Sequence, residues 1–439
     1  MKYENVKSLV LFLLVAASGV LTWSLWTYQP KYDVVNNKYV HEVSVSEQRD
    51  ATDLIKPIRV LFHIDDLHYG TVIDNEIDSI MEEMSHWNFY DIGDARIVND
   101  QQMAEISHSN NRIELSYPDL LPFELYKGIV HVETENLPKA SFDRISINIA
   151  TNTEDDALIY FLNSKENIVY EGHVNRERIA ELLSKVNYKR FDEYEAYPIT
   201  SERNVFLPAK ETSLYTYQYL PDYIDPEKFK NALFGDPTVV RRDMKANGEQ
   251  FTDDRSMMNV DYTTNMIFYI NPIQEPGGNQ PNLHPDLLKR SIDFVNEHSG
   301  WTDNYRYFGF DAYRQRTIFR MFCNSYPVFN EEGMAEIRQH WGANEIYRYQ
   351  RPYFSLDIDI STDRDPVILP SGESALNQLL NEDEIDVNMI EDLLIGYRLR
   401  KDPNKSKVLI LEPSWYYLYG GSWIRLRSED IGGDLNGLE

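Results

Sequence analysis

His63-Ile64-Asp65-Asp66-Leu67-His68 sets two imidazoles and two carboxylates side by side at the end of an apolar run. These are zinc-ligating residue types, but a metal site needs further ligands brought to the same point from elsewhere in the chain. Read by itself, the motif is an exposed polar strand end, because short motifs of this kind match by chance far more often than they bind. Leu356-Asp357-Ile358-Asp359-Ile360 places two carboxylates on one face of a strand, the residue types of a glycosidase acid pair. Period-two alternation is also what any half-solvated strand displays, and that is the expectation here.

Other chemistry fails on one residue each. His41-Glu42-Val43-Ser44-Val45 begins like a zinc-protease helix, but Val45 stands where the second histidine belongs. Gly372-Glu373-Ser374-Ala375-Leu376 begins like a nucleophile elbow, but Leu376 stands where glycine is needed. No Ser-x-x-Lys, phosphate loop or dinucleotide fingerprint occurs. Tyr215, Tyr217 and Tyr219 are suited to lining a carbohydrate cleft, and equally to packing a sheet. The single cysteine, Cys323, excludes an internal disulfide and follows an apolar run, so a buried inert thiol is expected. In an oxidising compartment stability must then come from core burial. The chain therefore lacks the common sequence-local catalytic kernels, and no metal site is expected.

The elements that carry these residues point to an α+β protein. The expected plan is a single N-terminal transmembrane helix followed by a three-domain extracytoplasmic region with antiparallel sheets and packed helices. Residues 1–30 form the cytoplasmic start and span, and 31–56 a polar linker. An N-terminal α+β domain covers 57–205, a central α+β domain 206–300 and a β-rich C-terminal domain 301–428. The acidic tail 429–439 is expected to be disordered. Ile73, Ile77, Ile80, Met84 and Trp87 keep helical spacing. Asn175, Asp225 (before Pro226) and Ser371 stand where helix N-caps belong. With 43 basic against 71 acidic residues the chain carries a net charge of −28. That balance excludes nucleic acid as a partner and opposes binding to anionic headgroups or wall polymers.

No charged side chain occurs over residues 8–29, and about 20 apolar residues suffice to cross a bilayer. A cleavable leader would turn polar soon after Ala16-Ala17-Ser18-Gly19, whereas this run stays apolar through Trp26. Trp23, Trp26 and Tyr28 suit the far interface. The expectation is an uncleaved single-pass anchor in the cell membrane, with a cytoplasmic N-terminus and the body outside.

Several stretches together resemble the YycH (WalH) family. They are Met1-Lys2 with Glu4-Asn5 and Lys7, and Thr22-Trp23-Ser24-Leu25-Trp26-Thr27-Tyr28-Gln29-Pro30. Inside the body they are Phe251-Thr252-Asp253 with Arg255, Phe268-Tyr269-Ile270-Asn271-Pro272, Leu369-Pro370-Ser371-Gly372-Glu373, Gly396-Tyr397 and Leu411-Glu412-Pro413-Ser414-Trp415. The chain departs from the family's look at Asp254, in a turn where glycine is common. The resemblance implies a membrane-anchored regulator without enzymatic activity or cofactor. It implies as partners the sensor histidine kinase YycG (WalK) and the related protein YycI (WalI), with cell-wall metabolism as the output through YycF (WalR). A rival reading is an extracytoplasmic module that captures a wall fragment or protein ligand; a wall hydrolase using Asp357 and Asp359 ranks below it.

Helix association in lipid rests on close packing and interhelical hydrogen bonds. Ser18 and Thr22 share one helical face, Leu11 and Val15 extend it, and Gly19 lets a neighbouring backbone approach. Leu11, Val15, Ser18, Gly19 and Thr22 are therefore the expected partner-binding face.

Overall fold

The computed structural model describes residues 11, 14–19, 23, 47–133, 137–150, 155–200, 203–276, 286–362, 366–382, 385–405 and 407–427. The chain divides into two units, Met1–Val40 and His41–Glu439. In the first, Leu11, residues 14–19 and Trp23 are helical and exposed. Among the described residues no helix is long and apolar enough to cross a membrane. Most of the expected span, Thr22 included, lies outside them, as does the tail 429–439.

The second unit begins before the expected linker ends. Residues Ala51–Leu54 form a short helix, and Leu54 and Ile55 are fully buried. Trp301 N donates to Glu47 O at 3.1 Å, and Arg49 N to Asn296 Oδ1 at 3.0 Å. Burying two aliphatic side chains at roughly 1.5–3 kcal/mol each docks residues 47–56 on the body rather than leaving them as a tether.

Eleven strands make the first sheet. They are β1 (Arg59–Ile64), β2 (Leu67–Thr71), β3 (Asn88–Tyr90), β4 (Arg96–Ile97), β5 (Arg112–Pro122), β6 (His131–Glu133), β7 (Ser141–Asn148), β8 (Asp156–Asn163), β9 (Ile168–Asn175), β10 (Asp192–Pro198) and β11 (Asn204–Pro208). Their order is β11-β10-β2-β1-β5-β7-β8-β9-β3-β6, with β4 on β9. The helix Asp74–Ser85 buries Ile77, Ile80 and Met84, the face its spacing predicts. The helix Arg176–Lys185 starts on Asn175, whose side chain accepts from Glu177 N. A further helix, Asp100–His108, opens with a capping box between Asn99 and Gln102.

The second half holds β12 (Thr212–Tyr215), β13 (Tyr217–Tyr223), β14 (Arg241–Lys245), β15 (Gly248–Thr252), β16 (Met257–Asp261), β17 (Met266–Ile270), β18 (Tyr305–Asp311) and β19 (Arg316–Cys323). It continues with β20 (Tyr326–Phe329), β21 (Glu336–Trp341), β22 (Ile346–Pro352), β23 (Phe354–Asp359), β24 (Pro366–Leu369), β25 (Ile390–Lys401), β26 (Leu409–Tyr419) and β27 (Ser422–Arg425). β12 and β24 pair alone; the other fourteen form one sheet, ordered β14-β15-β16-β17-β22-β21-β19-β20-β25-β26-β13-β23, with β18 on β19 and β27 on β26. The stretches 206–300 and 301–428 thus share a sheet, joined where β17 meets β22 and β13 meets β26. β26 runs unbroken through Pro413, which lies between the part paired with β13 and the part paired with β27.

Polar ties cross between the halves. Arg59 pairs with Asp392 at 3.1 Å, Arg306 with Asp74, and Phe310 N donates to Asp119 Oδ2 at 2.8 Å. A cavity of about 40 Å³ remains at this seam, lined by Arg59, Tyr194, Tyr326, Leu393 and Trp415 among others.

In the C-terminal half Arg351 is fully buried and donates to neutral groups: Ser299 Oγ at 2.7 Å, Gly300 O at 3.0 Å and Tyr349 OH at 3.2 Å. Close by, Asp303 accepts from Leu356 N at 2.9 Å, while its Oδ2 is buried without a hydrogen bond. Burial pushes the Asp303 carboxyl up to about 7, despite the opposing pull of the Leu356 N–H and Arg351. The folded state therefore holds this proton more tightly than the unfolded chain does. Its contribution is fully present below the ordinary carboxylate range and is lost as pH rises towards 7. Asp303→Asn should remove that loss and, at pH 8, exceed the parent by on the order of 3 kcal/mol. Urea denaturation at pH 5 and pH 8 checks this; a parent-like loss in the asparagine variant contradicts it.

Candidate functional site

The His63–His68 motif is a hairpin. Asp65 and Asp66 have φ of 53° and 62°, the left-handed pair of a two-residue turn. Asp66 N donates to Asn110 Oδ1 at 2.8 Å, and the Asp66 carboxylate accepts from Asn110 Nδ2. The two histidines stand directly opposite each other across β1 and β2, and their Nδ1 atoms are 2.8 Å apart.

Four other elements complete the centre. β5 places Leu61 opposite Glu114, which puts Glu114 on the His63 side of the sheet. The Glu114 side chain is 1% exposed, and its Oε2 lies 3.4 Å from His63 Nε2. The helix Asp100–His108 ends over β5, setting His108 Nδ1 2.8 Å from the same oxygen. β7 supplies Arg144, whose guanidinium meets Glu114 Oε1 at 3.2 Å, and Ser116 donates to that oxygen at 3.0 Å. β11 closes the centre with Phe206, whose ring centroid is 4.9 Å from His63, 4.9 Å from His68 and 4.6 Å from His108.

The electrostatics follow from this packing. Burial would raise the Glu114 carboxyl, but His108 and Arg144 outweigh it and hold the group well below the usual carboxylate range. Burial lowers His108 against the pull of Glu114. Burial, with His63 and His108 beside it, lowers His68 to about 4. At neutral pH the centre thus combines the ionised Glu114 carboxylate with the His68 and His108 imidazoles, which keep lone pairs, a donor set suited to holding protons or a cation. Its depth keeps macromolecular substrates away from it.

The expected exposed polar strand end is overturned at His63, which is fully buried, and His108, Glu114, Arg144 and Phe206 carry no signal in the sequence reading. Glu114 alternates with the buried Ile113 and Leu115, a pattern that marks the polar side of a strand as solvent-facing. Here that side is covered by Phe206 and the end of the helix Asp100–His108, which no local pattern announces.

The remaining candidates separate. Asp357 and Asp359 are exposed on β23, the last strand of its sheet, where charge protects an open edge from pairing with another chain. Tyr217 and Tyr219 pack inward: Tyr217 lies 5.8 Å from Tyr397, and Tyr219 OH is 3.9 Å from Cys323 Sγ, while Tyr215 is exposed. Cys323 is buried, as expected, and burial pushes its thiol up to about 11. Ser374 lies in the first turn of the helix Gly372–Leu380, whose cap is Ser371. The motif at 41–45 lies outside the described residues. Of the expected membrane face, Leu11, Val15, Ser18 and Gly19 lie on helical backbone; Leu11 and Val15 are each 64% exposed.

Comparison with known proteins covers nearly the whole chain. Residues 4–190 match the family model described as YycH protein, N-terminal domain, and residues 202–430 match YycH protein, C-terminal domain. The two-component system WalR/WalK regulatory protein YycH of Bacillus subtilis (strain 168) is 24% identical over 452 residues, covering 98% of this chain and 97% of that protein. The crystal structure of YycH from Bacillus subtilis shares the fold at a TM-score of 0.70 and 20% identity, covering 88% of this chain and 99% of that one.

Proposed function

This chain belongs to the YycH family, and from that premise we propose that it regulates a WalR/WalK-type two-component system as a membrane-anchored extracytoplasmic protein. It acts on the sensor histidine kinase YycG (WalK), together with a YycI-like (WalI) partner, and so on cell-wall metabolism; it is a regulator rather than an enzyme. The observation that carries this reading is the end-to-end match to a relative named as a WalR/WalK regulatory protein.

The anchor is the uncharged run 8–29, and its partner face is Leu11, Val15, Ser18, Gly19 and Thr22. Support for that face comes from Gly19, where an added Cβ would meet nothing within 4 Å. A neighbouring backbone therefore has room to approach. Contact there regulates the kinase only by favouring one of its signalling states. Capture of a wall fragment by the tyrosine run gains no support, because Tyr217 and Tyr219 are packed against Tyr397 and Cys323.

Gly19→Leu should reduce co-purification of the kinase from membranes to background, and unchanged recovery removes this face from the reading. Residues 1–30 alone, at the membrane abundance of the full chain, should shift WalR-dependent transcription. A silent segment beside an active full chain moves the function to the outer body; a silent full chain overturns the regulatory reading.

A further inference from the structure

The histidine–carboxylate centre meets the requirements of a metal site one by one. His63 Nε2, His108 Nδ1 and Glu114 Oε2 come from three separate elements and lie within 4.8 Å of one another. Donors bound tetrahedrally to zinc at 2.0–2.1 Å sit about 3.3 Å apart. The His63–Glu114 separation of 3.4 Å already has that value, and the His108–Glu114 contact of 2.8 Å has to open by about half an ångström.

The groups behind the donors fit as well. Metal-binding imidazoles use their other ring nitrogen for a hydrogen bond, and metal-binding carboxylates are themselves hydrogen-bonded. His63 Nδ1 lies against His68 Nδ1, and Glu114 Oε1 takes Ser116 and Arg144. Phe206 covers the imidazoles on one side, while His108, with a side chain 13% exposed, leaves a way in from solvent.

We propose that His63, His108 and Glu114 form a binding site for one divalent cation of the zinc class, with His68 as the positioning residue behind His63. The donor set is two imidazoles and one carboxylate, leaving the fourth position to water. Without metal, the same contacts close through ring protons: His68 to His63, then His63 and His108 to Glu114. Binding requires that the rings change tautomer. The proton between His63 and His68 sits on His63 Nδ1, freeing Nε2, and His108 carries its proton on Nε2. The proposal rests on this geometry alone and is independent of the kinase reading.

The test uses the full, untagged chain purified in detergent, stripped with chelator and incubated with zinc chloride, then with cobalt chloride. One equivalent of zinc should survive gel filtration, and cobalt should give the intense visible absorption of a tetrahedral site. His108→Ala, at a partly exposed helix end, should lose that equivalent, and His68→Ala should weaken zinc about ten-fold. Failure of the unmutated chain to retain zinc or to give the cobalt spectrum overturns the site. So does retention of a full equivalent by His108→Ala.

Discussion

Replacing Glu114 by alanine should destabilise the metal-free body by about 3–5 kcal/mol, the cost of removing one partner from a buried ionic network. The loss is large because this carboxylate has no substitute. It is the shared acceptor of His63, His108, Arg144 and Ser116, on β1, the helix Asp100–His108, β7 and β5. Without it the Arg144 guanidinium loses its 3.2 Å partner and the imidazoles face apolar Phe206. Denaturant unfolding of the purified protein measures the change. Glu114→Gln, which keeps an acceptor but not the charge, should fall between parent and alanine. The double variant Glu114→Met with Arg144→Met should recover part of the loss, because no guanidinium is then left facing the vacated carboxylate position. If the single alanine variant unfolds within about 0.5 kcal/mol of the parent, the network is not the hub its geometry describes.

Gly248→Ala should be worse tolerated than its size suggests. Gly248 opens β15 opposite Asp261 of β16. A Cβ built there would sit 1.9 Å from the backbone oxygen of Val260. That neighbour is part of a ladder and cannot swing aside like a side chain, so the strand pair must part. Overpacking costs about 1–3 kcal/mol where side chains can give, and more is expected here. Gly235 supplies the control, since an added Cβ there meets nothing within 4 Å. Gly235→Ala should stay within about 0.5 kcal/mol of the parent. Comparable behaviour of the two variants in thermal melts would contradict the close approach at β15.

What the sequence revealed depended on how local each signal was. Asn175, Asp225 and Ser371 all cap the helices they were expected to cap, each with its own side-chain hydrogen bond. Cap chemistry is decided within one turn, so it is legible without the fold. β18 offers no alternation to read, because its residues are buried on both faces. In β15 the charged Glu249, 2% exposed, is buried against Arg242 and Tyr262, which breaks the polar-out pattern. The histidine centre divides on the same line. Its hairpin half stands in one short motif, whereas Glu114, His108 and Phe206 meet it only after the sheet has formed.

The order of strands has a consequence in time. β1 to β11 all lie before residue 209, so the first sheet has its full complement once that much chain is available. β13 waits far longer, because its two ladder partners are β23 and β26, and β26 ends at Tyr419. Until then β13 keeps one open edge beside its β23 ladder, and β25 keeps one beside its β20 ladder. Pairing across such sequence distances is slow, and open strand edges invite aggregation meanwhile. With one buried cysteine, no disulfide can hold the half-formed state together. Closure of the second sheet therefore waits for β26, which joins β13, β25 and β27 to one another.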